Sequence, residues 1–318
     1  MNGSDRELLT RVEGCLLGAV VGDSLGGRVE GMQVGAVRDR YPDSASLAAL
    51  TPGAYGAATE MTVAVAESLA EFPDFSGPDM ARRLCARRSA GRAYGQGTVT
   101  ALERLGRGAA WNEAGLAVGG VGRTSYGNGA AIRSAPVGLL FGDDVDMLRW
   151  VAEEGAGITH AHTLGAEGAV LHALAVATAL ASAGRELSPA GFLLTIGAEA
   201  QQREFRSRYE NAAQLAGGEP STRRIVDKLG NGSTSLGSVV TAAYCFATHA
   251  TSFVDAVTVA LSLGGSAAAV ASMTGAIGGA YLGRSAIPQP WVEGFAEDAI
   301  GPGTLTALAR RLVSVRGA

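Results

Sequence analysis

Apolar residues recur at intervals of three and four along most of the chain, whereas the alternation that is typical of β-strands is nearly absent. In the first such stretch, residues 8–21, Val12, Leu16 and Ala19 share one helix face, and the glycines of residues 22–27 are predicted to end the helix. A second helix is predicted to begin at Thr59, acting as its N-cap. The other predicted helices cover residues 79–88, 98–105, 130–140, 144–154, 165–183, 188–206, 235–248, 253–262, 266–282 and 304–315.

Segments rich in glycine and proline separate these helices. Residues 38–58, which contain Pro42 and Pro52, and residues 106–130 are predicted to be loops. No repeat of fixed period appears, and no linker divides the 318 residues. The pattern therefore predicts an all-α protein, with residues 1–318 forming a single domain and functional loops between its helices.

Composition narrows the class of protein. Apolar residues make up 47% of the chain and charged residues 18%, so a sizeable core can be buried. The formal net charge is −4 and no face is dominated by Lys and Arg, so no nucleic-acid partner is expected. Cys15, Cys85 and Cys245 lie far apart in apolar contexts, which predicts free thiols in a reducing cytoplasm. The polar N-terminal residues predict no signal peptide.

One stretch is long enough to suggest a membrane span. Between Asp255 and Arg284 the chain carries no Asp, Glu, Lys or Arg. However, the stretch is poor in Leu, Ile and Phe, and Gly275, Gly279 and Gly283 recur every four residues. Such a glycine stripe allows a helix to pack closely against its neighbours. We therefore predict a buried central helix and no contact with a membrane.

Asp23 and Glu30, in and after a glycine-rich segment, are candidate catalytic carboxylates. The segment does not match the dinucleotide-binding pattern, and a helix precedes it where that fold has a strand. Two interpretations stay open from the spacing alone. The segment can bend so that both carboxylates point inward, or it can simply end a helix and leave them solvated.

A glycine-rich segment before a predicted helix suggests an anion site: Ser125, Tyr126, Gly127, Asn128 and Gly129. Glycines permit positive φ, so successive N–H groups can converge on a phosphate at the helix N-terminus. The Asn128 amide can add a donor. An ordinary glycine-rich loop is the alternative.

Two further clusters favour structural roles. His160 and His162 alternate, but no partner pair at zinc-ligand spacing accompanies them, so structural or stacking histidines are predicted. Asp143, Asp144 and Asp146 precede a predicted helix, where aspartate caps the N-terminus and offsets the helix dipole.

Five motifs follow one another along the chain: RVEGCLLGAVVGDSLGGRVE, GAATEMTVAVAESL, SYGNGAAIRSAPVGLLF, ITHAH and LSLGGSAAAVASMTGAIGGAYLG. Their order and spacing, from about Arg11 to Trp291, resemble the ADP-ribosylglycohydrolase family. The resemblance implies a compact orthogonal helical bundle that hydrolyses an N- or O-glycosidic bond to the ribose of ADP-ribose. It also implies that Glu30 lies near the scissile bond, that residues 126–129 hold the diphosphate, and that His160 approaches the nucleotide.

The sequence departs from this family at its two metal-ligand motifs, which typically hold two magnesium or manganese ions over the ribose. Thr59 is kept in the first motif, whereas Glu60 and Met61 replace two aspartates. In the second, residues 266–269 read Ser-Ala-Ala-Ala. Because a hard divalent cation needs oxygen ligands, chiefly carboxylates, we expect no metal cofactor. A single weakly bound ion at Glu60 is the one exception that these residues leave open.

Two functions are compatible with this departure. The first is a metal-independent hydrolase of the N-ribosyl bond in an ADP-ribosyl, ribosyl-phosphate or NAD-derived small molecule, within specialised metabolism. Glu30 is then the base, or the acid if burial raises its pKa, and Glu60 orients water or stabilises the cationic sugar. Asp23 is a third candidate. The second function is an inactive pseudoenzyme that binds ADP-ribose or a related nucleotide.

Without metals, other groups must hold the ribose hydroxyls. Thr59, Thr62 and Ser266 are the predicted hydrogen-bond partners for the 2′- and 3′-hydroxyls. The oligomeric state is left open by the sequence.

Overall fold

Residues 3–118, 123–295 and 300–316 are described by a computed structural model, and within them the chain forms α-helices and three short 3₁₀ turns but no β-strand. The predicted all-α class is confirmed. The helices are α1 Gly3–Gly26, α2 Val34–Arg40, α3 Ser44–Ala48, α4 Ala57–Glu71, α5 Gly77–Arg87, α6 Gln96–Gly106, α7 Ala135–Phe141, α8 Val145–Gly157, α9 Thr163–Ala181, α10 Pro189–Ala198, α11 Arg203–Leu215, α12 Thr222–Leu229, α13 Ser235–Thr248, α14 Phe253–Ser262, α15 Ala267–Leu282, α16 Gln289–Glu293 and α17 Pro302–Arg316. The 3₁₀ turns are Ala114–Ala117, Ala131–Arg133 and Arg284–Ala286.

Several element boundaries differ from the sequence prediction. The glycines of residues 22–27 do not end the first helix, which continues to Gly26 and so contains Asp23. Helices α2 and α3 occupy part of the predicted loop 38–58, two helices replace the one predicted over 188–206, and α12 was not predicted. Helix α4 has Gly56 at its N-cap, so Thr59 is not the cap.

Helices α1 and α15 cross in direct backbone contact. Every fourth residue of α1 from 14 to 26 is a glycine, and these glycines face α15. A β-carbon on Gly18 would lie 2.1 Å from the carbonyl oxygen of Gly275, and one on Gly22 would lie 2.0 Å from that of Ala271. These glycines therefore serve packing, which explains why they do not end α1. Helix α15 is buried along most of its length, as predicted.

Within the described residues, one helix, α9, is long and apolar enough to cross a membrane by length and composition. However, 72% of its apolar 18-residue stretch is buried inside the protein, where α9 packs against α7, α8, α13 and α15. The core helix of a globular protein has the same length and composition. Cys15 and Cys245 are buried, Cys85 is partly buried, and all three are free thiols.

Candidate active site

A cavity of about 420 Å³ lies where the N-termini of α4, α6 and α15 meet the glycine-rich loop. Most of the predicted site residues line it: Asp23, Glu30, Ser125, Gly127, Asn128, Gly129, His160 and Ser266. Four predicted residues are absent from its lining: Glu60, Thr59, Thr62 and Tyr126. The structure thus brings together the carboxylates of α1 and the loop that is predicted to bind anions.

Asp23 is a buried carboxylate that caps a neighbouring helix. Its Oδ2 accepts hydrogen bonds from the backbone N–H of Gly56 at 2.8 Å and of Thr59 at 3.0 Å, and from the Thr59 hydroxyl at 2.7 Å. Burial raises the pKa of Asp23, and these hydrogen bonds act in the opposite direction. Asp23 therefore supplies from α1 the N-cap that was predicted for Thr59.

Glu30 sits at the N-terminus of α15. Its Oε2 accepts a 2.7 Å hydrogen bond from the backbone N–H of Ala268, within the second metal-ligand motif of the family resemblance. Glu30 is exposed as a whole residue, but partial desolvation of its carboxylate and the nearby Asp23 carboxylate raise the pKa of Glu30, whereas the amides of Ala268 and Ala267 lower it. Two interacting carboxylates thus face one cavity, each held at the positive end of a helix.

Glu60 does not face this cavity, contrary to the sequence prediction. Its Oε2 accepts hydrogen bonds from the Tyr94 hydroxyl at 2.6 Å and from the Ser89 N–H at 3.2 Å, and the Arg92 guanidinium lies 3.6 Å from Oε1. Successive helix residues point about 100° apart, so the following residue, Met61, lines the cavity instead. In this arrangement, Glu60 holds the segment between α5 and α6.

That segment forms part of the cavity wall, since Ala93 and Gly95 line the cavity. We expect Glu60→Ala to increase amide hydrogen exchange across residues 89–95 and to lower the free energy of unfolding by about 1–3 kcal/mol, because it removes a buried carboxylate that accepts from Tyr94 and Ser89. Hydrogen-exchange mass spectrometry checks this. Glu103→Ala, which removes a more exposed carboxylate 3.9 Å from Arg88, serves as control. Equal exchange in the two variants would contradict the anchoring role.

The two predicted threonines use their hydroxyls inside the protein. The Thr59 hydroxyl donates to Asp23, and the Thr62 hydroxyl donates to the carbonyl oxygen of Ile132 at 3.0 Å. Both side chains are buried. Neither side chain lines the cavity, so the structure does not bring these two hydroxyls to the site.

Tyr126 lies outside the cavity lining with 52% of its surface exposed, and its ring contacts His162 edge to face at 5.4 Å. The His162 ring accepts a hydrogen bond from the Leu164 N–H and caps α9, a structural role. Asp144 caps α8 in the same way, accepting from the Met147 N–H, as predicted.

The residues at the family's metal positions do not fit a pair of divalent ions. The side chains of Met61, Ala268 and Ala269 line the cavity there, and none offers an oxygen ligand. Thr59 is committed to Asp23. Across residues 3–118, 123–295 and 300–316, no three side chains of His, Cys, Asp or Glu are grouped so that they could share an ion.

The sequence prediction missed the start of α6 as part of the site. Gly95, Gln96, Gly97 and Thr98 line the cavity, and the glycine pair just before the predicted helix start was the available signal. Among the residues that the structure describes, no side chain accepts a hydrogen bond from the first N–H groups of α6, whereas those of α4 and α15 donate to Asp23 and Glu30. The positive end of α6 therefore adds to an electrostatic environment that favours a bound anion.

Fold and cavity together define a helical protein in which two carboxylates and a glycine-rich loop line one cavity. The family model described as ADP-ribosylglycohydrolase matches residues 4–318. The chain therefore belongs to the ADP-ribosylglycohydrolase family.

Two relatives and one solved structure are similar to this chain over nearly its whole length. The chain is 32% identical to ADP-ribosylhydrolase ARH3 of Mus musculus over 342 residues, covering 91% of this chain and 89% of the relative. It is also 32% identical to an uncharacterised protein of Archaeoglobus fulgidus over 289 residues, covering 88% and 90%. A solved structure described as an ADP-ribosylglycohydrolase-related protein complex aligns with a TM-score of 0.70 and 25% identity, covering 98% of this chain and 99% of that one. These matches extend over nearly the whole chain and support the orthogonal helical bundle that the resemblance implied.

Proposed function

We propose that this protein hydrolyses the N-ribosyl bond of an ADP-ribosyl, ribosyl-phosphate or NAD-derived small molecule without a metal ion, in specialised metabolism. One observation carries the proposal: Asp23 and Glu30 share a cavity with the glycine-rich loop, while Met61, Ala268 and Ala269 occupy the family's metal positions. The similarity to ADP-ribosylhydrolase ARH3 supports an ADP-ribosyl group as part of the substrate. Three free cysteines are consistent with a reducing cytoplasm.

The proposed reaction needs one base and one stabiliser of positive charge. The Glu30 carboxylate takes a proton from water, the water oxygen bonds to C1′ of the ribose, and the C1′–N bond breaks with its electron pair leaving on nitrogen. The transition state resembles an oxocarbenium ion. The Asp23 carboxylate, which α1 carries and the N-terminus of α4 holds in place, stabilises that charge.

Loss of the metals is tolerable for a substrate of this kind. A leaving group that is already cationic, such as a nicotinamide, departs as a neutral base and needs no proton. The phosphate groups can bind the glycine-rich loop and the uncapped N-terminus of α6. Of the predicted hydroxyl partners, only Ser266 lines the cavity, so we assign a ribose contact to Ser266 alone.

The proposal predicts how activity depends on pH. Glu30 must be ionised to act as a base, and its pKa is raised above the 4.5 of an ordinary glutamate. We therefore expect kcat/KM to fall as the pH drops through that raised value, with the midpoint of the acid limb above 4.5. Steady-state rates across pH 4–8, with circular dichroism confirming the fold at each pH, check this. An acid limb centred below 4.5 would contradict Glu30 as the base.

The decisive experiment tests metal dependence. We expect release of free base or sugar from ADP-ribosyl-arginine, NAD-type nucleotides or ribosyl-phosphate conjugates at equal rates in EDTA and in excess magnesium. Turnover that requires magnesium would overturn the proposal. Calorimetric titration of the protein with magnesium is an independent measurement, and two bound equivalents would contradict the assignment of the ligand positions.

A second candidate function is a binding protein for ADP-ribose or a related nucleotide. The apolar groups at the metal positions favour it, because a hydrolase of this family loses its Lewis acid there. Tight calorimetric binding of ADP-ribose without turnover of any of the three substrate classes would establish this alternative.

A further inference from the structure

Arg133 is a buried cation behind the glycine-rich loop. It is only 2% exposed, and it donates to the carbonyl oxygens of Gly129 at 3.2 Å and Gly155 at 2.9 Å, and to the Thr159 hydroxyl at 2.9 Å. Burial lowers the pKa of Arg133 to about 10, so the guanidinium still carries its charge at neutral pH. In the described part of the chain, no carboxylate oxygen lies within 4.0 Å of it. Arg133 thus donates hydrogen bonds to uncharged acceptors around the loop.

The Thr159 hydroxyl lies between Arg133 and His160 and is hydrogen-bonded to both. A guanidinium can only donate, so the hydroxyl oxygen accepts from Arg133. Its own proton then needs an acceptor, and His160 Nδ1 lies 2.7 Å away. If Nδ1 carried a proton instead, the buried hydroxyl proton would have no acceptor among the described residues, which is costly. Nδ1 is therefore the acceptor.

A neutral imidazole that accepts at Nδ1 carries its proton on Nε2. Burial and the Arg133 charge lower the pKa of His160 to about 3, so the ring is neutral near pH 7. The ring lines the cavity, and Nε2 makes no hydrogen bond within the described residues. A β-carbon on Gly129 would lie 3.0 Å from Nε2, and one on Gly127 would lie 3.4 Å from it, so this N–H lies beside the loop backbone.

We propose that Arg133 and Thr159 are positioning residues, which lock His160 as its Nε2–H tautomer so that the ring donates to an anionic phosphate oxygen held at the glycine-rich loop. The inference rests on the proposed ligand class, a phosphate-bearing ribosyl compound, and not on whether the ligand is cleaved. Thr159 touches no ligand itself. It acts through the proton position of His160.

The first test reads the tautomer in the free protein. Long-range ¹H–¹⁵N correlation spectra of the ¹⁵N-labelled full chain at pH 7 distinguish a protonated Nε2 from a protonated Nδ1 in each histidine ring, and His160→Gln identifies the signals. We expect His160 as the Nε2–H form in the wild type and in Thr159→Ser, and a mixture of tautomers in Thr159→Val. A wild-type His160 ring protonated at Nδ1 would overturn the proposal.

The second test measures ligand affinity by calorimetry with ADP-ribose. We expect Thr159→Val to weaken binding about ten-fold, the scale of one hydrogen bond to a charged group, and Thr159→Ser to restore it. Thr258→Val is the matched control, because Thr258 is equally buried but its hydroxyl bonds only to the Asp255 carbonyl oxygen on α14. Equal affinity in Thr159→Val and the control would contradict the role of Thr159. If the wild type binds neither ADP-ribose nor a ribosyl phosphate, the proposed ligand class fails, while the ring spectra still decide the tautomer.

Discussion

Replacing Glu30 with glutamine should lower kcat by about two to four orders of magnitude, the usual contribution of a positioned general base. Glutamine has the same size and keeps an oxygen that can accept from the Ala268 N–H, so the cap of α15 survives. What it removes is the negative charge and the ability to take a proton from water. We therefore expect the affinity for ADP-ribose, measured by calorimetry, to change much less than kcat.

The control for this experiment is another carboxylate that caps a helix but lies outside the cavity. Asp144 accepts from the Met147 N–H at the start of α8, so Asp144→Asn makes the equivalent change at a remote cap. Rates followed by release of free base from an N-ribosyl substrate should match the wild type in this control. A Glu30→Gln protein that retains wild-type kcat would exclude Glu30 as the base and direct attention to Asp23.

A substitution at the crossing of α1 and α15 is expected to have a large effect on the free energy of unfolding. A β-carbon on Gly22 would lie 2.0 Å from the carbonyl oxygen of Ala271 and 2.8 Å from the backbone nitrogen of Ser272. Both neighbours are helix backbone and cannot rotate away, so the two helices must separate. We expect Gly22→Ala to lower the free energy of unfolding by about 3 kcal/mol, at the upper end of the range for overpacked cores.

Gly35→Ala provides the matched comparison, because Gly35 is also helical and a β-carbon there would meet nothing within 4 Å. Alanine is the better helix former, so this variant should be neutral or more stable by up to about 1 kcal/mol. Urea unfolding followed by circular dichroism compares the two midpoints. Similar midpoints for both variants would show that the crossing can open without cost.

The crossing of α1 and α15 also positions the two carboxylates of the proposed site. A β-carbon on Gly26 would lie 2.4 Å from the Ala268 Cα, so the end of α1 is pressed against the start of α15. Asp23 and Glu30, which precede and follow Gly26, thereby reach the N-termini of α4 and α15. We expect Gly22→Ala protein that remains folded to lose activity as well as stability.

Sequence alone determined the helical class and much of the pocket composition. The three- and four-residue spacing of apolar positions identified most helices, and those over residues 235–248 and 253–262 match the structure residue for residue. The identities of Met61, Ala268 and Ala269 also carry the prediction that metal ligands are lost, because coordination chemistry depends on residue type.

Only the tertiary structure determined which polar side chains line the cavity. Glu60 and Met61 are adjacent in the chain, yet contacts with Ser89 and Tyr94 hold Glu60 on the far side of α4. Asp23 caps a helix 36 residues away from it, which no local pattern encodes. Local periodicity fixes the direction of a side chain relative to its own helix, but its hydrogen-bond partners depend on how distant helices pack. For that reason the sequence could name the candidate carboxylates, whereas the packing separated Asp23 and Glu30 from Glu60.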